Sequence, residues 1–213
     1  MKVAIILNGQ IENIEFFDSI LENYNYIICA DGGANKLYKI GKKPNVIIGD
    51  LDSIHDHVKN YYRKNNVDFK KFPSKKDKTD TEIAIDYAIS IGATQIDFIG
   101  ALGDRMDHTL ANINCLYYLL KRKVDGKIVD ENSQIYITDK EKVIYGEIGD
   151  IVSIIPCFSD AKGVTLEGFE YTLEDFNLEF GCARGISNVM LSPKCIVKVK
   201  QGCLLIIKYK KRA

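Results

Sequence analysis

Surplus charge of either sign is missing from this chain: Lys and Arg total 29, Asp and Glu total 29, and the formal net charge is zero. General nucleic-acid binding, which draws on a basic excess over phosphate, is excluded on that ground. No run of about 18 apolar residues occurs, so no helical membrane span is expected. The apolar opening MKVAIILNGQ is short and lacks a small-residue cleavage site. It reads as a first β-strand rather than a signal peptide, and a cytoplasmic placement follows as an expectation. The six cysteines (Cys29, Cys115, Cys157, Cys182, Cys195 and Cys203) include no Cys-x-x-Cys pair and have no histidine cluster beside them. That removes a zinc site and leaves reduced, mostly buried thiols. There is no G-x-x-x-x-G-K-[ST], no G-x-G-x-x-G and no nucleophile elbow, so P-loop NTPases, standard dinucleotide binders and serine hydrolases drop out. Tryptophan is absent, which leaves tyrosine and phenylalanine to build any aromatic platform.

What remains is ordinary globular material: 213 residues, 46% hydrophobic, enough for one large domain or two small ones. Through about residue 125, short apolar runs alternate with amphipathic segments. Val3–Leu7, Tyr26–Ala30, Val46–Ile48, Val67–Phe72 and Ile96–Ala101 read as strands of a parallel sheet with crossover helices. Thr79-Asp80-Thr81-Glu82 is a capping box, followed by an apolar face of Ile83, Ala84, Tyr87, Ala88 and Ile91 and a stop at Gly92. A second helix is expected after Asp107, with Leu110, Ile113, Tyr117 and Leu120 inward. From Ile135 onward IYIT, VIYGEI, DIVSIIPCF, GVTLEGF, IVKVK and CLLIIKYK all read as strands. The expected architecture is therefore an α/β domain with a Rossmann-like parallel sheet (1–125), then an antiparallel β-sandwich or barrel (133–213), divided near Lys123–Ser133. The basic end KYKKR reads as a solvated edge.

Ligands of open α/β sheets bind beyond the carboxyl ends of the strands. Those ends carry acids here. Asp31 follows YIICA, Asp50 and Asp52 follow VIIG, Asp77 and Asp80 flank the capped helix start, and Asp104 and Asp107 follow DFIGALG. Carboxylates converging on one rim repel one another without a cation, which points to Mg²⁺, a hard ion that takes carboxylate and phosphate oxygens. Arg105 among them suits bidentate phosphate binding; its other reading is an ion pair with Asp104 or Asp107. The free N–H groups of the capped helix favour an anion beside Asp80. Acids, one arginine, a helix N-terminus and glycine turns together describe metal-assisted phosphoryl or diphosphoryl transfer. His55 and His57 read as solvated, and His108 as a cap or an orienting group.

DGGAN (31–35), GDLDS (49–53), KDKTD (76–80), GALGDRMDH (100–108) and the later GISN (185–188), in that order and spacing, resemble the thiamine pyrophosphokinase family over nearly the whole chain. The resemblance implies a homodimer whose active sites lie between one subunit's α/β domain and the other's β domain. It implies transfer of the terminal diphosphate of ATP to the hydroxyl of thiamine, with Mg²⁺, giving thiamine diphosphate and AMP. Matched motif by motif, Asp50, Asp52 and Asp80 would be metal ligands, and Asp31 would lie at the transfer site against thiamine. Asp77, Thr79, Gly103, Asp104, Arg105, Asp107 and His108 would hold ATP, with Asp80 shared between metal and phosphates. Ser187 and Asn188 would contact thiamine. Two departures stand out. Val189 follows Ser-Asn where many relatives have an acid, and the tryptophan on which some relatives stack thiamine is missing, leaving Tyr171 or Phe180. Two other functions are compatible with the acidic motifs: diphosphate transfer to another heterocyclic alcohol such as a hydroxymethylpterin, and a non-catalytic nucleotide or thiamine sensor.

Overall fold

The computed structural model describes residues 1–73 and 77–211. Lys76, the first residue of KDKTD, and Arg212 of the basic end lie outside the described residues. The chain forms two compact units, Met1–Glu131 and Asn132–Ala213.

The first unit alternates strands and helices: β1 (Lys2–Ile6), α1 (Ile14–Leu21), β2 (Tyr26–Ala30), α2 (Gly33–Ile40), β3 (Val46–Gly49), α3 (Asp56–Lys64), β4 (Asp68–Lys71), α4 (Asp80–Ser90), β5 (Gln95–Ile99), α5 (Met106–Lys121) and β6 (Asp125–Val129). All six strands are parallel, in the order β6-β5-β1-β2-β3-β4. Strands covered on both faces need apolar residues at every covered position, and VAII of β1 and VIIG of β3 supply them. Ala4, Ile6, Cys29 and Ile47 meet Phe17, Leu21, Leu37, Val58 and Tyr62 of α1, α2 and α3 on one face. Side chains alternate along a strand, so Ile5 and Ile28 turn to the other face, where α4 packs over β1, β2 and β3.

Two expectations change here. β6 is a strand of the parallel sheet beside β5, whereas the expected first domain ended where it begins. Gly126 in it gives no apolar signal, yet a Cβ there would stand 2.3 Å from the Ile96 carbonyl oxygen, so only glycine allows this close pairing. The inward face of α5 is also rotated. Cys115, Leu116 and Leu119 are buried, while Leu110 is 54% exposed.

The second unit contains β7 (Ser133–Thr138), β8 (Glu141–Tyr145), β9 (Ile151–Pro156), β10 (Ala161–Glu167), β11 (Leu173–Leu178), β12 (Asn188–Val189), β13 (Lys194–Lys198) and β14 (Leu204–Tyr209). They make two antiparallel layers, β12-β9-β14-β7 and β11-β10-β13-β8. β9 and β14 alternate buried and open residues, the pattern of a sheet with one face on a core. That core joins Tyr136, Val152, Ile154, Leu204 and Ile206 to Ile144, Val164, Leu166 and Val197. It also holds a buried ion pair: the Lys208 Nζ lies 3.3 Å from Asp150 Oδ2, and both side chains are under one-tenth exposed.

Candidate active site

The strand order reverses at β1. β2, β3 and β4 build outward on one side of it, β5 and β6 on the other. Loops leaving adjacent strands in opposite directions open a crevice at their carboxyl ends. Here the loops after β1 and β5 are tied together by Leu7 N–H to Ile99 O (2.8 Å), Gly9 N–H to Gly100 O (2.7 Å) and Gln10 N–H to Leu102 O (2.8 Å). Gln10 Nε2 also donates to Asp104 Oδ1 at 2.7 Å. The crevice, of about 880 Å³, is lined by these loops, the DGG turn, Asp50, the start of α4 and the first turns of α5.

On one side of it stand three acids. One carboxylate oxygen from each of Asp31, Asp50 and Asp80 lies within 4.8 Å of the other two. Asp31 and Asp50 directly follow β2 and β3, and Asp80 opens α4, which packs over those strands, so the acids converge. Gly49 makes room for them: its φ is +149°, and an added Cβ would sit 3.0 Å from Asp31 Cβ and 3.1 Å from Asp80 Oδ1. Asp31 itself has φ +43°, in the left-handed region, which Asp tolerates better than most residues. Its Oδ1 is buried with no hydrogen-bond partner among the described residues. A buried carboxylate oxygen without a donor is costly unless a cation takes it. The donor set is all carboxylate, as Mg²⁺ prefers, so these residues fit that ion. Asp52 stands outside the group. Its side chain is exposed, and its backbone N–H donates to Asp50 Oδ1 at 3.1 Å.

On the other side, Arg105 closes a fork on Asp107, Nε to Oδ1 at 2.9 Å and Nη2 to Oδ2 at 2.6 Å. The guanidinium holds the Asp107 carboxyl far below the usual range. Of the two partners considered for Arg105, the structure pairs it with Asp107; Asp104 accepts from Gln10 instead. Thr79 caps α4 as its sequence predicts: Glu82 N–H donates to Thr79 Oγ1 (3.2 Å) and Thr79 N–H to Glu82 Oε2 (2.8 Å). Thr79, Gly103, Asp104 and His108 line the crevice, and exposed Asp77 does not. Lys36, Lys78, Thr109 and Asn112 line it too, and the sequence reading passed over them along with Asn8, Gly9 and Gln10. NGQ directly after a central strand was the signal available for the last three. His55 and His57 are exposed, away from the crevice lining.

In the second unit GISN leads into β12. Gly185 O accepts from Ile154 N–H at 2.9 Å, and Ser187 N–H donates to Ser153 Oγ at 3.1 Å. Ser187 is exposed with φ +59°. Asn188 is buried, and its amide is consumed: Nδ2 donates to Tyr171 O (2.7 Å) and Oδ1 accepts from Tyr171 N–H (2.9 Å). Asn188 thus grips the backbone of Tyr171, whose ring is 66% exposed; Phe180 is 59% exposed.

Residues 17–129 match the family model "Thiamin pyrophosphokinase, catalytic domain", and residues 133–204 match "Thiamin pyrophosphokinase, vitamin B1 binding domain". The chain is 27% identical over 211 residues to a thiamine pyrophosphokinase of Bacillus subtilis, covering 98% of this chain and 99% of that protein. It is 28% identical to thiamine pyrophosphokinase 1 of Arabidopsis thaliana, covering 97% and 86%. The crystal structure of the Bacillus subtilis thiamine pyrophosphokinase superposes with a TM-score of 0.88 at 25% identity, over the full length of both chains.

Proposed function

Since this chain belongs to the thiamine pyrophosphokinase family, we propose that it moves the terminal diphosphate of ATP to the hydroxyl of thiamine, yielding thiamine diphosphate and AMP, with Mg²⁺ as the resident ion. The observation that carries this reading is the convergence of Asp31, Asp50 and Asp80 beside a crevice at the strand-order reversal.

Asp31, Asp50 and Asp80 hold the ion, and exposed Asp52 on the same GDLDS turn is a further carboxylate available to it. Bound there, Mg²⁺ supplies charge neutralisation on the polyphosphate. Arg105, held in orientation by Asp107 through Nε and Nη2, presents its remaining Nη1 edge to phosphate oxygens. The first N–H groups of α4, at Asp80 and Thr81, add an anion-binding end. The β1 and β5 loops, with Gly9, Gly103, Asp104 and His108, form the nucleotide wall.

The thiamine oxygen attacks the β-phosphorus. The bond from that phosphorus to the oxygen bridging the α-phosphate breaks, and AMP leaves with that oxygen. The hydroxyl proton passes to a carboxylate of the acidic rim, which also suits the permanent thiazolium charge. Ser187 offers its hydroxyl to thiamine, Asn188 fixes Tyr171, and Tyr171 or Phe180 supplies the aromatic face. The working form is a homodimer with each site shared between subunits. Ile151 and Tyr209, paired across β9 and β14, and nearby Ile148 are 39%, 50% and 62% exposed, apolar surface of the kind a second copy covers. No helix of the described residues is long and apolar enough to cross a membrane.

The test is AMP formation from ATP and Mg²⁺ with thiamine as acceptor. AMP formed with a hydroxymethylpterin but not with thiamine would replace the substrate. Thiamine binding without turnover would make the chain a sensor.

A further inference from the structure

Cys157 directly follows β9, and Cys203 directly precedes β14. The register of these strands matches Leu204 with Pro156, so the next pair outward sets Cys203 opposite Cys157. The Cys157 N–H donates to the Cys203 carbonyl oxygen at 2.9 Å, continuing the ladder by one bond. Residues directly opposite in an antiparallel pair send their side chains to the same face, and a hydrogen-bonded pair keeps its Cα atoms about 5.5 Å apart. A disulfide spans Cα separations of roughly 4.4–6.8 Å, so this pair needs no backbone movement to be bridged. Both thiols are free in the structure, Cys203 buried and Cys157 partly exposed. Cys29, Cys115 and Cys195 are buried free thiols elsewhere in the fold, and Cys182 is exposed.

We propose that Cys157 and Cys203 form a reversible dithiol–disulfide site, closed by a low-molecular-weight disulfide and reopened by a small dithiol. Cys157 is the entry thiol, because it is the more accessible of the two. Its neighbour also favours this order: the Cys203 thiol beside it holds Cys157 below its ordinary value against the effect of burial, while the same contact and burial push Cys203 up. The Cys157 thiolate, its proton released to solvent, attacks one sulfur of the small disulfide. That S–S bond breaks, one small thiol leaves, and Cys157 carries a mixed disulfide. Cys203 then loses its proton and attacks the Cys157 sulfur, expelling the second small thiol. Two protein thiols are oxidised and one small disulfide is reduced to two thiols, with no other reactant.

The closed bond staples β9, the strand to which GISN is hydrogen-bonded, to its neighbour β14. The ladder already exists in the dithiol form, so closure stiffens the unit without rearranging it.

The experiment exposes the reduced, full-length protein to oxidised glutathione, quenches with acid, alkylates, and maps the peptides by mass. The expected product is a Cys157–Cys203 linked peptide in a chain lighter by two hydrogens, reversed by dithiothreitol. Its melting temperature rises by about 10 °C, the effect of closing a loop of this size on a chain of this length. Cys203→Ser should retain glutathione on Cys157, and Cys157→Ser should form no linked peptide. Complete alkylation of both cysteines after oxidation, adducts confined to Cys182, or a linkage of Cys157 to Cys182 would each overturn the proposal. The wild-type peptide map decides the matter even if a serine variant fails to fold.

Discussion

Arg105 and Asp107 bind each other through two parallel contacts, with a single residue between them in sequence and both side chains largely in solvent. Asp107 takes the Nε and Nη2 side of the guanidinium and so orients its Nη1 edge before any phosphate arrives. Lysine keeps the charge and loses the fork. Arg105→Lys is therefore expected to lower kcat/KM for ATP by about tenfold or more, a loss of ~1.4 kcal/mol in transition-state binding. Steady-state kinetics at saturating thiamine check it, and a lysine variant with wild-type kinetics would reduce Arg105 to a surface ion pair.

The acidic group makes a second expectation. Asp50→Asn and Asp80→Asn should each lower kcat by ~10²-fold or more, since ion-mediated charge stabilisation is worth several kcal/mol. Asp52→Asn belongs in the same series. Gly49→Ala is the sharper variant, because its methyl enters the space between Asp31 and Asp80 at a φ of +149°. It should cost about 1–3 kcal/mol of stability through backbone strain and depress kcat as well. Chelation should abolish turnover in the wild type and Mg²⁺ restore it.

Asn188 gives a third. Replacing it with alanine strips both Tyr171 backbone groups of their partners, at ~1–3 kcal/mol. The KM for thiamine should rise more than the KM for ATP, because the displaced segment carries Tyr171 rather than the nucleotide wall. Equal effects on both substrates would contradict the assignment.

A shared site predicts complementation. Asp50→Asn and Ser187→Ala proteins, each weak alone, should form heterodimers with one undamaged site when mixed. Activity should recover to roughly a quarter of wild type when half the molecules are mixed dimers. No recovery after verified subunit exchange would put thiamine and the acids on one chain.

Two buried aspartates should respond to pH in opposite directions. Burial raises the pKa of Asp97, and Lys127, Gln95, Tyr24 and Lys2 only partly offset it. A folded value above the unfolded ~3.9 means its contribution is present below that pH and lost as pH rises through the folded value. At Asp150 burial is outweighed by the N–H groups of Lys211 and Glu147 and by Lys208, and the pKa falls. Its contribution is present above ~3.9 and lost as pH drops through the folded value. Urea midpoints from pH 3 to 7 for the wild type, Asp97→Asn and Asp150→Asn check both signs. The advantage of wild type over Asp97→Asn should shrink with rising pH, and its advantage over Asp150→Asn should shrink with falling pH.

The parallel sheet and the capped helix were legible because VAII, YIICA and VIIG are apolar throughout and Thr79-x-x-Glu82 is a local signal. β11 was not: LEDFNL lies at a layer edge, exposes its acids, and is irregular where Asp175 takes φ +50°. The acids could be read as a set, but which of them converge could not. That depends on left-handed turns at Asp31 and Leu51 (φ +71°), which bring Asp31 and Asp50 together and leave Asp52 outward. GISN was recognisable only through its family resemblance. That Asn188 spends its amide on Tyr171 follows from a contact between distant segments, which no local pattern encodes.

The placement of β1 governs how the first unit assembles. β1 is the first strand made, yet it lies inside the sheet, with β2 on one side and β5 on the other. Until Gln95–Ile99 has emerged from the ribosome, one edge of KVAII offers its amides and carbonyls unpaired, on a strand with no charge beyond Lys2. Parallel pairing across such a sequence distance is slow, and an open apolar edge invites pairing with other chains. The docking of β5 beside β1 closes that edge. The same event ties the β1 and β5 loops together, so the crevice and the sheet are completed in one step.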